Sequence, residues 1–544
     1  MKKIHRLIGG AGTGKTTRNM QSIADIVESG IDPMEILFSS FTRVARETAA
    51  KRAQDITGYQ SQQLIRDGWF KTLQAVCYKC LGVHSGAMLT DNKSSRDWFS
   101  ELFNIDFSKQ KLDTEDGGII IEDGMKDNAI AAVIQEWTTA RMMLITADDE
   151  SRWPVKAMPR DKAMEVIARY EQQKNYDDKL DFADLALKFV GIRHEIHSLV
   201  EYEPECGVPH VAACIFDEYQ DTPELLHRVA LRVVESPSVE QVIVSGDFFQ
   251  SIFGFIGSDN RWLMNGFNYT SSEIMPQSYR CSKNILELGE SAIRGCSDYF
   301  DRGIKPKPGD DGDVCKYVAK PNKPEWFPGA SEDWLVVART NFALSRATKW
   351  LSENNIPWVA ADEGGPGYVG PRKRRVGETL WRIRQGLPIA GNEWGYAIED
   401  IPAIFNGQQL LKRGVKIAAK SVDWHCPQVL NPNDLLTNGA TDAFMDVVQN
   451  SDWAAFDPAF RKFRNVADEY GVELAVKPTI RASTIHGAKG DEASNVMLCT
   501  SKSNIVKNGM TDEECRVLYV GATRAKDALV LFKFAGDKPG YFDH

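Results

Sequence analysis

The strongest constraint on this chain lies at its start. Ile4 to Ile8 is a short apolar run suited to a buried strand, and it leads into Gly9-Gly10-Ala11-Gly12-Thr13-Gly14-Lys15-Thr16 ahead of a helix-compatible stretch from Thr17 to Val27. Strand, glycine loop and helix in that order make a phosphate cradle. The glycines let backbone N–H groups turn inward, the helix start adds its positive dipole end, Lys15 reaches the β/γ oxygens, and Thr16 holds Mg²⁺. At average composition the pattern arises by chance about 0.02 times in a chain this long. The bland alternative is a flexible Gly-rich turn.

A second site matches the first. The apolar run Val211 to Phe216 ends in Asp217-Glu218-Tyr219-Gln220-Asp221. A carboxylate at the tip of a buried strand suits a Mg²⁺ ligand, and a second beside it can orient and deprotonate water. Taken alone, a polar strand end opening a loop explains these residues equally well. Lys15 and Asp217 stand about 200 positions apart, more than a minimal phosphate-loop core needs, so an inserted domain is expected between them.

Length and charge limit what surrounds this core. A chain of 544 residues implies three or four domains. The 65 Lys plus Arg against 75 Asp plus Glu give a net charge of −10, so a nucleic-acid partner would need a local groove instead of a basic surface. Hydrophobic content of 43% and charged content of 26% exclude a disordered or fibrous chain. The ten cysteines are scattered, which fits a reducing compartment. The opening Met1 to Gly10 lacks the apolar stretch of a signal peptide, and no later run spans a membrane. A cytoplasmic location is expected, with no membrane partner.

From here the residues resemble, in order, the UvrD/Rep/PcrA group of superfamily 1 DNA helicases. Gly9 to Thr17 resembles motif I, and Ile36 to Ala45, containing Phe41-Thr42-Arg43, resembles motif Ia with Arg43 in place of the usual Asn. Thr72-Leu73-Gln74 is similar to the next DNA-facing segment, with Gln74 where His is usual. Leu180-Asp181-Phe182-Ala183-Asp184-Leu185 resembles the segment that re-enters the first motor lobe. Asp217 to Thr222 resembles motif II, and Gly246 to Phe255 motif III, followed by Ile256 where the family has Arg. Gln277 to Ser282 resembles motif IV, Arg339-Thr340-Asn341 the segment after it, Ser483 to Glu492 motif V with Asp491 replacing Leu, and Glu513 to Lys526 motif VI.

The resemblance implies an α/β fold of two RecA-like P-loop NTPase motor domains, each carrying an inserted, mainly helical accessory domain. It implies catalytic roles for Lys15, Asp217, Glu218, Gln250, Arg280 and Arg524. The nucleotide would lie on Gly9, Gly10, Ala11, Gly12, Thr13, Gly14, Lys15, Thr16 and Thr17, with Tyr279 against adenine and Glu492 near the sugar. Thr16 and Asp217 would hold Mg²⁺. Phe41, Thr42, Arg43, Thr72, Gln74, Phe253, Phe255, Thr484 and His486 would touch DNA. Without the resemblance, Phe253 and Phe255 read as core after the apolar run Gln241 to Ser245. Only eight residues precede Gly9, too few for the family's Gln-containing adenine segment, so the phosphate chemistry is better specified than the base.

Domain limits follow from the motif order. Residues 1–85 and 185–272 form the first motor domain, 86–184 its insertion, 273–360 and 475–544 the second motor domain, and 361–474 a reduced second insertion. The acidic opening of the first insertion (Asp113, Glu115, Asp116, Glu122, Asp123) reads as a solvated face. From Arg372 to Lys420 there are ten Lys/Arg against four Asp/Glu. This stretch is expected either to touch duplex phosphates or to be a solvated charge run, with Gly-Gly-Pro-Gly at 364 to 367 as its hinge. Neither Cys77-x-x-Cys80 nor His194, His197, Cys206 and His210 has convincing zinc spacing.

The expected activity is an ATP- and Mg²⁺-dependent DNA helicase or single-stranded DNA translocase, moving 3′ to 5′ by resemblance. Single-stranded DNA and its junctions with duplex are the expected partners, with accessory proteins besides, and the chain is expected to be a monomer or weakly self-associating. The alternative is a nucleic-acid-stimulated ATPase switch, a subunit of a larger repair or defence complex that does not unwind by itself.

Overall fold

A computed structural model describes residues 2–41, 43–90, 92–105, 129–309, 311–319, 332–361, 367–418, 429–451, 453–501, 510–537 and 542. The chain divides into two compact units, Met1–Gly309 with Thr511–Val520, and Asp310–Met510 with Gly521–His544. Among the described residues no helix is long and apolar enough to cross a membrane.

The first unit is built on a six-stranded sheet of β1 (Lys3–Gly9), β2 (Ile36–Ser40), β3 (Trp69–Phe70), β4 (Ala213–Asp217), β5 (Gln241–Gly246) and β6 (Ser271–Met275). Their order is β3-β2-β4-β5-β1-β6, and every pairing is parallel. Parallel strands need covering on both faces. Accordingly β2 and β4 are buried at every position, and Cys214, the second residue of β4, sits opposite Leu37 and Val242. Helix α1 (Lys15–Glu28) buries Asn19, Met20, Ile23 and Ile26, one stripe at helical spacing. Helices α2 (Arg43–Thr57) and α3 (Leu73–Leu81) follow on the same sheet.

The first insertion is helical where it is described. Helices α4 (Lys93–Phe103), α5 (Ala129–Met142) and α6 (Arg160–Tyr176) pack around Phe99, Trp137 and Tyr170; its acidic opening lies outside the described residues. The chain returns to the sheet through α7 (Phe182–Val190), whose start is a reciprocal cap of Asp181 and Asp184. Those two carboxylates also hold the insertion. Arg141 on α5, 1% exposed, bonds Asp181 and reaches Asp184 at 2.9 Å and Glu171 at 3.5 Å, while Lys174 on α6 reaches Asp181 at 2.9 Å and Asp184 at 2.6 Å. Burial raises the Asp184 carboxyl to about 6, and the neighbouring Asp181 charge adds to the rise. Helices α8 (Glu224–Glu235) and α9 (Lys283–Ile293) also belong to the unit, as does the helix Asp512–Ala522 up to Val520.

The motif order places residues 273–309 in the second motor domain, but by contact they belong with the first unit, as do residues 511–520. Local bonding explains this. β6 is hydrogen-bonded along β1, and Ser297 N–H donates to Asp512 Oδ1 at 3.1 Å.

The second unit carries its own all-parallel sheet of β7 (Asp313–Ala319), β8 (Trp334–Ala338), β9 (Trp358–Ala360), β10 (Ile480–Thr484), β11 (Ala493–Cys499) and β12 (Ala525–Phe534). The order is β9-β10-β8-β11-β12-β7. Helix α10 (Asn341–Glu353) packs Ala347, Trp350 and Leu351 into the sheet's core. Residues 368–475 contribute a separate core, in which α11 (Pro371–Arg384), α12 (Gly391–Asp400), α13 (Asp442–Asn450) and α14 (Pro458–Tyr470) surround Trp394, Phe444, Trp453, Phe460 and Phe463. The fold is therefore α/β, with two parallel six-stranded sheets of the kind expected for two RecA-like domains.

Candidate functional site

Parallel pairing brings the C-terminal ends of β1, β2, β4 and β5 to one edge of the first sheet, with Ile8 opposite Gly246 and Ser40 opposite Asp217. Ligands of such sheets bind at that edge. The chain leaves β1 at Gly9 and enters α1 through Gly12 (φ 67°) and Gly14 (φ 86°), both left-handed. A Cβ on Gly9 would stand 2.3 Å from Thr13 Oγ1, and one on Gly12 would stand 2.2 Å from Arg280 Cβ. Inside the loop, Lys15 Nζ donates to the carbonyls of Gly9 and Gly10, both at 3.3 Å. These are long bonds for an ammonium, which leaves the amine ready to turn to phosphate oxygens.

Asp217, 7% exposed, faces this loop from the tip of β4. Its Oδ1 lies 2.9 Å from Ser245 Oγ and accepts the Glu218 N–H at 3.1 Å, and Ser245 in turn accepts from Asn19 Nδ2 at 2.8 Å. Burial raises the Asp217 carboxyl to about 6, the Glu218 charge adds to the rise, and Lys15 offsets part of it. A desolvated carboxylate beside a second one favours a divalent cation, which restores the ionised form. The residues present therefore fit Mg²⁺ and a nucleotide phosphate.

Glu218 holds a left-handed backbone (φ 53°), a conformation a glutamate adopts only where its surroundings impose it. Its Oε2 accepts from Gln220 Nε2 at 2.5 Å, and Gln220 Oε1 accepts the Asp247 N–H at 3.0 Å. Gln250 is buried and donates to Asp247 Oδ2 at 2.9 Å. Across the loop, Ser278 Oγ donates to Ala11 O and Tyr279 N–H to Gly12 O, both at 2.8 Å. This docks the motif IV segment on the loop. The Tyr279 ring is 70% exposed, and its Cδ2 lies 3.9 Å from a Cβ built on Gly14, so an open aromatic face stands beside the cradle.

A family model described as the UvrD/REP helicase N-terminal domain matches residues 1–268, and one described as the UvrD-like helicase C-terminal domain matches residues 450–535. The chain belongs to the UvrD/Rep helicase family. Among curated proteins it is 23% identical over 309 residues to the ATP-dependent DNA helicase PcrA of Staphylococcus aureus strain Mu50, covering 55% of this chain and 39% of that protein. PcrA of Staphylococcus epidermidis strain ATCC 35984 is 23% identical over 376 residues, 65% of this chain and 48% of that protein. The chain thus spans less than half the length of these relatives.

In this UvrD/Rep family member an aromatic group stands near the same sheet edge. Phe41 stacks on Phe253 at 5.5 Å and 22°, Phe253 meets Phe255 edge-on at 6.0 Å, and Phe255 is 51% exposed. Arg43 is exposed and pairs with Glu47 at 3.4 Å, while Thr42 lies outside the described residues. Thr72 and Gln74, expected on the strand path, are buried. The Thr72 hydroxyl caps α3 by accepting the Ala75 N–H, and Gln74 lines a cavity with Ser40, Phe41, Asp217 and Thr222.

Four expected site residues lie in the second unit. Thr484 Oγ1 accepts the Gly487 N–H at 3.1 Å, His486 is half-buried, Glu492 pairs with Lys526 at 2.8 Å, and Arg524, 1% exposed, donates to Asp491 O at 3.1 Å. Some of the basic residues between 372 and 420 are ion-paired. Arg372 pairs with Glu399 and Asp400, Lys373 with Asp457, and Arg384 with Asp468, while Arg375 lies over Tyr396 at 4.3 Å. Lys420 and residues 364–366 are outside the described residues. The sequence did not single out Asn19, Ser245 and Ser278; a serine closing the apolar strand β5 was the available signal for one of them.

Proposed function

We propose that this chain is an ATP-dependent DNA helicase or single-stranded DNA translocase, moving 3′ to 5′ in the cytoplasm on single strands and their junctions with duplex. One observation carries the reading: a glycine loop with a lysine, two adjacent carboxylates and a buried glutamine converge on a single sheet edge, near an exposed aromatic group. In this reading residues 1–85 with 185–272 and 273–360 with 475–544 are the two motor domains, and the helical regions are their insertions.

Phosphoryl transfer to water asks chiefly for positioning and charge neutralisation. Lys15 and the loop N–H groups hold the phosphates. Mg²⁺, with Thr16 and Asp217 as protein ligands, neutralises charge on the phosphate oxygens when bound. Glu218 takes the proton from the attacking water, its strained backbone fixing where the carboxylate points. Gln250 reports whether the γ-phosphate is present, and Arg280, which follows the Tyr279 whose N–H donates to Gly12 O, neutralises charge on it. Phe253 and Phe255 offer faces on which any base can stack, giving a grip indifferent to sequence.

The test measures ATP hydrolysis with DNA and with RNA, and strand displacement on 3′-tailed and 5′-tailed duplexes. DNA-stimulated turnover with displacement of the 3′-tailed substrate is expected. Turnover without displacement on either substrate would favour the ATPase switch. Glu218→Gln should retain nucleotide and DNA binding while abolishing turnover.

A further inference from the structure

Behind the phosphate loop lies a buried guanidinium that the chemistry above does not use. Arg302 is 3% exposed. Its Nη1 donates to Asp247 Oδ1, and its Nη2 donates to Glu290 Oε1 at 2.6 Å and to the Tyr519 hydroxyl at 3.4 Å. The rings of Phe249 and Tyr519 lie 4.7 and 5.2 Å from it. Asp247 Oδ2 accepts from Gln250 Nε2 at 2.9 Å and from the Tyr519 hydroxyl at 3.2 Å. The Tyr519 oxygen accepts the backbone N–H of Ala11, inside the phosphate loop, at 3.1 Å. Ala11, Asp247 and Tyr519 are fully buried.

We propose that Arg302 and Tyr519 are positioning residues that hold the phosphate loop and Gln250 in one register through Asp247. The assignment rests on the hydrolysis reading given above. A phenol has one proton and two lone pairs, and here the proton goes to Asp247 while Ala11 N–H and Arg302 take the lone pairs. Burial pushes the Tyr519 phenol far up, so it stays a donor. One arm of the guanidinium holds Asp247 Oδ1 and the other holds Glu290, leaving the second Asp247 oxygen to be shared by the glutamine and the phenol. A shift of the loop at Ala11 therefore moves an acceptor that Gln250 also uses. An ion pair serving only to stabilise the fold would require neither the loop N–H nor the glutamine.

The full chain and its Tyr519→Phe, Gln250→Ala and doubly substituted forms are compared in two assays: equilibrium binding of a fluorescent ADP with Mg²⁺, and ATP hydrolysis stimulated by single-stranded DNA. Losing the bond to Ala11 should weaken nucleotide binding about fivefold. In the hydrolysis assay kcat should fall about tenfold in Tyr519→Phe, but less than about twofold when Gln250 is already Ala. Unchanged nucleotide affinity, or effects on kcat that simply multiply, overturns the proposal. If the native chain shows no DNA-stimulated hydrolysis, the hydrolysis reading fails instead, and nucleotide affinity alone decides the positioning role by the same fivefold criterion. Arg302→Lys keeps the charge without the fork and should reproduce the pattern, so the outcome does not depend on one variant folding.

Discussion

Asp217→Asn should stabilise the nucleotide-free protein while removing its use of Mg²⁺. The Asp217 carboxyl sits at about 6 against an ordinary 3.8, because burial and the Glu218 charge disfavour ionisation. The native state therefore binds this proton more tightly than the unfolded chain does, and the stability that the carboxyl contributes is present below 3.8 and lost as pH rises through 6. That rise corresponds to a difference on the order of 3 kcal/mol at pH 8, and to roughly half of that at pH 5, where most of the native carboxyl is protonated. An asparagine never ionises, and its Oδ1 can still accept from Ser245 and the Glu218 N–H. The assay is thermal unfolding without nucleotide or divalent cation. The variant should melt roughly 5 °C higher than the native chain at pH 8, with about half that margin at pH 5. A lower melting temperature, or a margin independent of pH, would refute the argument.

Other substitutions probe separate parts of the chain. Gly12→Ala would place a Cβ 2.2 Å from Arg280 Cβ on a left-handed backbone; nucleotide affinity should fall at least about tenfold with circular dichroism unchanged, and native affinity would contradict the loop geometry. Phe255→Ala should weaken single-stranded DNA binding by about 1 to 3 kcal/mol, equally for different base sequences, as read by fluorescence anisotropy; a sequence-dependent loss would contradict stacking. Arg141→Ala leaves Glu171, Asp181 and Asp184 with Lys174 as their remaining cation in the cluster. It should lower the stability of the first insertion by about 3 to 5 kcal/mol, seen in limited proteolysis of helices α4 to α6, and an unchanged digestion pattern would show that the cluster does not anchor them.

The parts of the site that are contiguous in sequence were legible in advance. A glycine loop between a strand and a helix, or two carboxylates ending an apolar strand, carry their geometry with them, and Gly12 and Asp217 stand where such patterns require. Contacts joining distant segments were not legible. Nothing near Arg302 announces Tyr519, more than two hundred positions later, because only the folded chain brings both against Asp247. Counting charge along the sequence misses partners for a related reason. Asp457 and Asp468, which pair with Lys373 and Arg384, lie beyond the stretch from Arg372 to Lys420. For Thr72 and Gln74 the sequence did not show their local roles, since a residue opening a helix is claimed by the helix: the Thr72 hydroxyl serves as its cap and Gln74 is buried.

Cys214, the second residue of β4, gives the chain a built-in clock. Its thiol is fully buried, and burial pushes it up to about 12, so at neutral pH it has almost no thiolate to offer an alkylating reagent. Labelling at this one cysteine, located by peptide mass, can proceed only when the strand leading to Asp217 comes away from its neighbours. The labelling rate then measures the free energy of that opening directly. A nucleotide that binds only the closed strand should slow labelling by one plus the ratio of its concentration to its Kd, which gives occupancy of the site without any turnover.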